Sequence, residues 1–218
     1  MVASSDRERE FSFTQQHFSK VRDELYDYAG IVLADHKQDM AYNRLVRRLR
    51  ELQLDNFDDY LALLDRNPAE FTQFINALTT NLTAFFRERH HFDFISNTLL
   101  PALQKKGERK IRIWSAGCSL GEEPYSLAMT LLDSKVDTSG WDARILATDI
   151  DSKVLASADS GVYAAERIKS LPDDLVHRWF LKGSGANDGQ VKIRQQLQEM
   201  VTFKHLNLMH DWPLKGPL

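Results

Sequence analysis

Three groups of residues carry side chains suited to chemistry, and they stand far apart in the chain. The first is K-I-R-I-W-S-A-G-C-S-L-G-E-E-P-Y-S-L-A-M from Lys110, in which Gly117 and Gly121 bracket Cys118 and are followed at once by Glu122 and Glu123. The second is A-T-D-I-D, with Asp149 and Asp151. The third is T-T-N-L-T-A-F-F-R-E, which gathers Asn81, Thr83 and Arg87.

A small, flexible loop after a strand lets a ligand approach bare backbone at the carboxyl end of a sheet. A dinucleotide would set its pyrophosphate on the free N–H groups of the following helix, and the usual glycine pattern for that is G-x-G-x-x-G. Here the spacing is G-x-x-x-G, and two carboxylates stand where phosphates would sit and would repel them. They suit a cationic, hydroxyl-bearing ligand, such as the ammonium, sulfonium and ribose of S-adenosylmethionine. Both acids are also accounted for as favourable first-turn charges on a helix dipole. Asp149, at the end of a second strand, is placed to accept hydrogen bonds from ribose hydroxyls, a role that serves nucleotide and adenosyl ligands alike.

The elements that must hold these groups follow from periodicity. Ile111, Ile113 and Trp114 predict a strand, Ala116 to Gly121 a tight loop, and Tyr125, Leu127, Ala128, Leu131 and Leu132 a helix beginning by Pro124. A-R-I-L-A-T-D predicts the second strand, with Asp151 or Ser152 capping a helix from Lys153; V-D-T-S-G-W-D before it is a turn-rich connection. The segment P-D-D-L-V-H-R-W-F-L predicts another helix. Gly183, Gly185 and Gly189 with Asn187 and Asp188 predict a hairpin, and the alternation in Val191, Ile193 and later Val201 and Phe203 predicts a small antiparallel insertion over 180–204. That insertion either covers the core or offers an edge to a partner strand. V-T-F-K-H-L-N-L predicts the third sheet strand, ending at Asn207 and Leu208 beside the same crevice, and D-W-P-L-K-G-P-L reads as loop.

Ahead of this α/β unit, residues 11–97 read as a helical bundle. Phe13, Phe18, Val21, Leu25 and Tyr28 mark one helix closed by Gly30, Met40 to Leu54 and Phe57 to Leu64 two more, and Phe71, Phe74, Ile75 and Leu78 a fourth. N-R-L-V-R-R-L-R places Arg44, Arg47 and Arg48 on one helical face, either solvated or docked to an acidic partner. Thr83 is expected to cap a helix from Ala84, which puts Arg87 one turn on. On such a helix His90 and His91 point apart, so no metal pair is expected.

The chain has 218 residues, 43% of them apolar, enough for one large or two small domains. Its 28 basic and 31 acidic residues give a net charge of −3, so no global field argues for nucleic acid or anionic membrane. Cys118 is the only cysteine, which excludes an internal disulfide and fits a reducing, cytosolic setting. No apolar signal region opens the chain and no window approaches the roughly 18 apolar residues of a membrane span. A soluble, cytoplasmic protein is expected.

Together, T-T-N-L-T-A-F-F-R-E, W-S-A-G-C-S-L-G-E-E-P-Y-S, A-T-D-I-D, the G-x-G hairpin and H-L-N-L resemble the chemotaxis receptor methyltransferases (CheR), from Phe13 onward. The resemblance implies an N-terminal helical domain over 11–97 and a Rossmann-like methyltransferase domain over 98–218 with a three-stranded antiparallel subdomain. It implies S-adenosylmethionine as cofactor and glutamate side chains of chemoreceptors as methyl acceptors. It also implies Asn81, Thr83, Arg87, Glu123, Asp149, Asn207 and Leu208 as cofactor or active-site residues, with Arg87 orienting a carboxylate. Arg44, Arg47 and Arg48 would then dock receptor helices, and the Gly183 to Gly189 hairpin would bind a receptor's C-terminal pentapeptide. The family continues with F-D-x-I-F-C-R-N-V and further strands in the order 3-2-1-4-5-7-6. The chain is therefore expected to supply three strands, with the first left at an edge, and either the native protein to be longer or this chain to be truncated, swapped or paired with another. The competing readings are a nicotinamide-dependent oxidoreductase, which Glu122 and Glu123 oppose, and a non-catalytic receptor-binding module.

Overall fold

A computed structural model describes residues 9–134 and 140–214, so most of the turn-rich connection before the second strand lies outside the described residues, as does the end of the C-terminal loop. The chain divides into two compact units, residues 1–80 with 207–211, and residues 81–206 with 212–218.

The first unit is helical. Helix α1 (Gln15–Ala29) starts where the Thr14 hydroxyl accepts the His17 N–H at 3.2 Å and stops at Gly30, which takes a left-handed φ of 66°. Helix α2 spans Gln38–Leu52. Helices α3 (Phe57–Leu64) and α4 (Pro68–Leu78) are each capped by an asparagine, Asn56 and Asn67, and Pro68 costs α4 nothing at its first position. Phe18, Leu25, Leu45, Leu49, Phe57, Tyr60 and Phe74 are wholly buried. The strip 207–211 joins this unit: the buried Asn207 donates to the Tyr28 carbonyl at 2.6 Å, and Met209 sulfur would stand 2.6 Å from a Cβ at Gly30. Gly30 is thus needed for its φ, while a Cβ there would only ask the half-exposed Met209 side chain to shift.

The second unit opens with α5 (His90–Phe94) and α6 (Leu100–Lys105), joined without a break by a π-helical turn at Ile95–Leu99. Phe92 and Leu100 are buried in the same cluster as Tyr125, Met129, Ile145 and Val201. The stretch 81–97 therefore belongs with the α/β unit and not with the helical domain expected over 11–97. Strand β1 (Lys110–Ala116), helix α7 (Glu122–Asp133), strand β2 (Asp142–Asp149) and helix α8 (Ser152–Ser160) form the expected half-unit, and Asp151 caps α8 through the Lys153 and Val154 N–H groups. A short strand β3 (Val162–Ala164), helix α9 (Asp173–Trp179), strands β4 (Phe180–Lys182) and β5 (Gln190–Ile193), helix α10 (Gln195–Gln198) and strand β6 (Val201–His205) follow.

The main sheet is parallel in the order β1-β2-β6, with Ile113 opposite Ile145 and Ile145 opposite Val201, so β1 lies at one edge among the described residues. The small sheet is antiparallel in the order β3-β5-β4. The three antiparallel strands that the resemblance implies are present, but not within 180–204: β3 precedes that range, and Val201–His205 pairs in parallel with β2 as part of the main sheet. No helix among the described residues is long and apolar enough to cross a membrane.

Candidate functional site

β1, β2 and β6 run parallel, so their carboxyl ends open on one side of the sheet, and the glycine loop leaves β1 on that side. The Thr148 carbonyl accepts both the Gly117 and Cys118 N–H groups, at 2.8 and 2.9 Å, folding the loop onto the end of β2. Gly117 has a left-handed φ of 74°, is exposed, and an added Cβ there would meet nothing within 4 Å. Gly121 serves packing instead, since its Cβ would come within 2.8 Å of Ala158 Cβ. The first glycine leaves open space above the backbone and the second closes helix against helix.

Asp149 is buried at the end of β2 and holds the loop by its two oxygens. Oδ2 accepts the Ser119 N–H at 2.7 Å and Oδ1 the Asp151 N–H at 2.9 Å. Ser119 takes a left-handed φ of 50° to present that N–H, a strained backbone that the carboxylate stabilises. Each carboxylate oxygen can accept twice, so capacity for two ribose hydroxyls persists.

The two acids after Gly121 have different fates, which corrects the expectation that both oppose a phosphate. Glu122 is wholly buried and paired with Arg167, whose Nε donates to its Oε1 at 2.6 Å. Its charge is spent inside the fold. Glu123 is exposed, and its Oε1 accepts the buried Ser115 hydroxyl at 2.6 Å. The acidic character of the site therefore rests on Glu123 and Asp149. Both charges bear on Cys118, whose thiol is pushed up to about 12, first by burial, then by Asp149 and, in lesser measure, by Glu123. Cys118 stays protonated near neutrality and is no nucleophile.

Asn81 joins this network from outside the sheet: its Nδ2 donates to Asp151 Oδ2 at 3.0 Å and its Oδ1 accepts the Ser119 hydroxyl at 3.3 Å. Thr83 does not cap a helix. Residues 81–84 have no regular secondary structure and 85–89 form turns, with Phe86 and Glu88 at left-handed φ of 54° and 56°, so helix formation waits until His90. Arg87 is consequently not one helical turn from Thr83; its exposed side chain donates to the Leu82 carbonyl at 2.9 Å. His90 and His91 do not point apart either, their rings meeting edge to face at 4.2 Å. Among the described residues no group of three or more acids, histidines or cysteines is arranged to hold a metal ion. Asn207, buried, and Leu208, half exposed, belong to the helical unit.

The arginine face of α2 also differs from expectation. Arg44 Nη1 donates to the Ala77, Leu78 and Thr79 carbonyls, closing the end of α4, and Arg48 pairs with Glu70, which is 4% exposed, and with Glu51. The Glu70 carboxylate beside it raises the Arg48 pKa further above its ordinary value. Of the three, Arg47 is the exposed one. Sequence reasoning also missed Ser115, Ser119 and Arg167. The serines stand inside the glycine motif and could have been weighed with it, whereas nothing around Arg167 marks it.

Residues 16–79 match the family model described as CheR methyltransferase, all-alpha domain, and residues 81–218 the one described as CheR methyltransferase, SAM binding domain. A chemotaxis protein methyltransferase 2 of Pseudomonas aeruginosa is 46% identical over 211 residues, covering 96% of this chain and 74% of that protein. The chemotaxis protein methyltransferases of Escherichia coli and Salmonella typhimurium are each 47% identical over 210 residues, covering 94% of this chain and 71% and 70% of theirs.

Proposed function

From the premise that this chain belongs to the CheR methyltransferase family, and so uses S-adenosylmethionine, we propose that it methylates glutamate side chains of chemoreceptors in the cytoplasm, setting adaptation in chemotaxis. The observation that carries the reading is the open Gly117 floor with Asp149 and Glu123 beside it and no cation of the loop set against them. These residues fit the cofactor. Asp149 has acceptor capacity for ribose hydroxyls, and the negative charge of Glu123 suits an ammonium or sulfonium. Asn81 and Thr83 line the same network or its approach, and Asn207 and Leu208 enter the proposed set on the resemblance alone.

When bound, the cofactor supplies a methyl group on a good leaving sulfur. The chain's own residues have little proton chemistry to do. A glutamate with an ordinary pKa of about 4.3 is already a carboxylate near neutrality and needs no base. Cys118, protonated and buried, neither competes as nucleophile nor accepts a proton. What is left is orientation, which brings reacting atoms to about 3–3.5 Å in line. Arg87, a planar two-pronged donor, is proposed to turn the incoming carboxylate, or the cofactor's own, without fully neutralising it. Arg87→Lys is then expected to lose most turnover, and full turnover in that variant would remove Arg87 from the mechanism.

Docking is proposed to run through the exposed Arg47, with Arg44, whose partners are neutral carbonyls, adding field, whereas the charge of Arg48 is answered by Glu70 and Glu51. A receptor C-terminal pentapeptide is proposed to add to the small sheet at the Gly183 to Gly189 hairpin. The deciding experiment is transfer of labelled methyl from S-adenosylmethionine to a receptor cytoplasmic fragment. Base-labile label that vanishes when the receptor's glutamates are replaced by alanine supports the reading. Label that persists in the replaced fragment, or is absent from both, defeats it.

A further inference from the structure

The segment from Asn81 to Arg89 carries three of the proposed site residues and yet has neither helix nor strand. Its left-handed Phe86 and Glu88 are unfavourable locally and persist only where the surroundings over-determine them. Three ties from elsewhere in the α/β unit do so. The Phe86 N–H donates to the Ser126 hydroxyl at 3.0 Å. The Phe85 ring packs edge-on against Tyr163 and Phe180, with centroids at 5.1 and 5.3 Å. Arg167 Nη2 donates to the Thr83 carbonyl at 2.9 Å.

The third tie differs in kind from the others. Arg167 sits on the turn Ala165–Ile168 after β3, and its guanidinium is gripped by Glu122 at the first position of α7. Glu122 is wholly buried and its second oxygen has no hydrogen-bond partner among the described residues, so Arg167 is what compensates that charge. A buried pair of this sort adds little net stability over an apolar replacement. What an apolar replacement would lack is direction. One planar fork here reaches two acceptors that are distant in sequence, the Glu122 carboxylate and the Thr83 carbonyl, and an ammonium on a flexible stem cannot reproduce that.

We propose that Arg167 is a positioning residue for methyl transfer: locked by Glu122, its guanidinium fixes the Thr83 carbonyl and through it the side chains of Asn81, Thr83 and Arg87. The inference rests on the methyltransferase reading above and names a residue that acts through others. It also explains why the first acid of the G-E-E motif is buried while the second faces solvent. Glu122 anchors the loop over the site, and Glu123 is left to face the ligand.

Two variants test this in the full 218-residue chain. Arg167→Lys keeps a cation against Glu122 and loses the fork. The double variant Glu122→Gln with Arg167→Met removes both charges together, so neither is stranded. Melting temperature, the calorimetric Kd for S-adenosylhomocysteine, and kcat and KM for methyl transfer to a receptor fragment are read on each. In Arg167→Lys the melting temperature is expected to stay within a few degrees of the parent. Kd is expected to rise and kcat to fall by ~10-fold each, the scale of one lost hydrogen bond from a charged group, with the receptor KM unchanged. The double variant is expected to shift Kd and kcat in the same way. A folded variant with Kd and kcat within about twofold of the parent overturns the proposal, as does a loss that simply tracks melting temperature or a failure of both variants to fold. A parent protein that binds S-adenosylhomocysteine but transfers nothing to the receptor sinks the substrate assignment instead and leaves the Kd comparison readable.

Discussion

The basic face of α2 and the acidic loop between β1 and α7 look alike in the sequence, each a cluster of one charge sign on a helical segment. Their structures differ. On α2, Arg44 closes the carbonyl end of α4 and Arg48 answers the buried Glu70, so two of three cations are held by internal partners. At the loop, Glu122 is likewise spent on Arg167, but among the described residues the hydrogen bonds of Asp149 and Glu123 come from neutral N–H or O–H groups, so both keep their charge beside an open floor. A charge counted along a chain is available to a partner only when the fold has not already set an opposite charge against it.

The comparison breaks most readily at Arg48. Arg48→Ala leaves Glu70 buried and unpaired beside Tyr60, and stability is expected to fall by about 3–5 kcal/mol in urea unfolding. A loss below about 0.5 kcal/mol would mark Arg48 as an ordinary surface cation. Next in size is Asp149→Asn. The amide keeps the shape but loses the charge and turns a donor toward a backbone N–H, so S-adenosylhomocysteine affinity is expected to drop by ~10–150-fold, one charge-assisted bond at about 1.5–3 kcal/mol. An unchanged affinity would move the ribose elsewhere.

Arg47→Glu sharpens the contrast from the other side. Stability is expected to stay within about 0.5 kcal/mol, while receptor methylation slows at low salt and recovers its parent rate at high salt, where such steering is screened. Equal rates at low salt would remove α2 from docking. The smallest effect concerns Cys118. Its thiol is raised in the folded chain, so the stability it contributes is whole below the ordinary thiol value of about 8.5 and is lost as pH climbs from there toward the folded value of about 12. Reaction with a thiol reagent at pH 8 is expected to wait on unfolding, and immediate reaction would place Cys118 at the surface.

The same contrast explains which features the sequence made readable. The half-unit from β1 to α8 was legible because alternating Ile111 and Ile113, two glycines and the Asp151 cap all act locally. The helices of the first unit were legible for the same reason, through Gly30, Asn67 and Pro68. The loop 81–89 was not, since Phe86 and Glu88 are held in a left-handed backbone by Ser126 and by the Arg167 bridge, forty and more positions away. The burial of Glu122 was hidden for the same cause, and β3 is too short for any period to show.

The central claim is that the glycine loop accepts a cationic adenosyl donor and refuses a pyrophosphate. Calorimetric titration of the 218-residue chain with S-adenosylhomocysteine and, separately, with NAD tests it most directly. Saturable heat is expected with the first, weakened by Asp149→Asn, and none with the second. Binding of NAD, or no binding of S-adenosylhomocysteine, would contradict it.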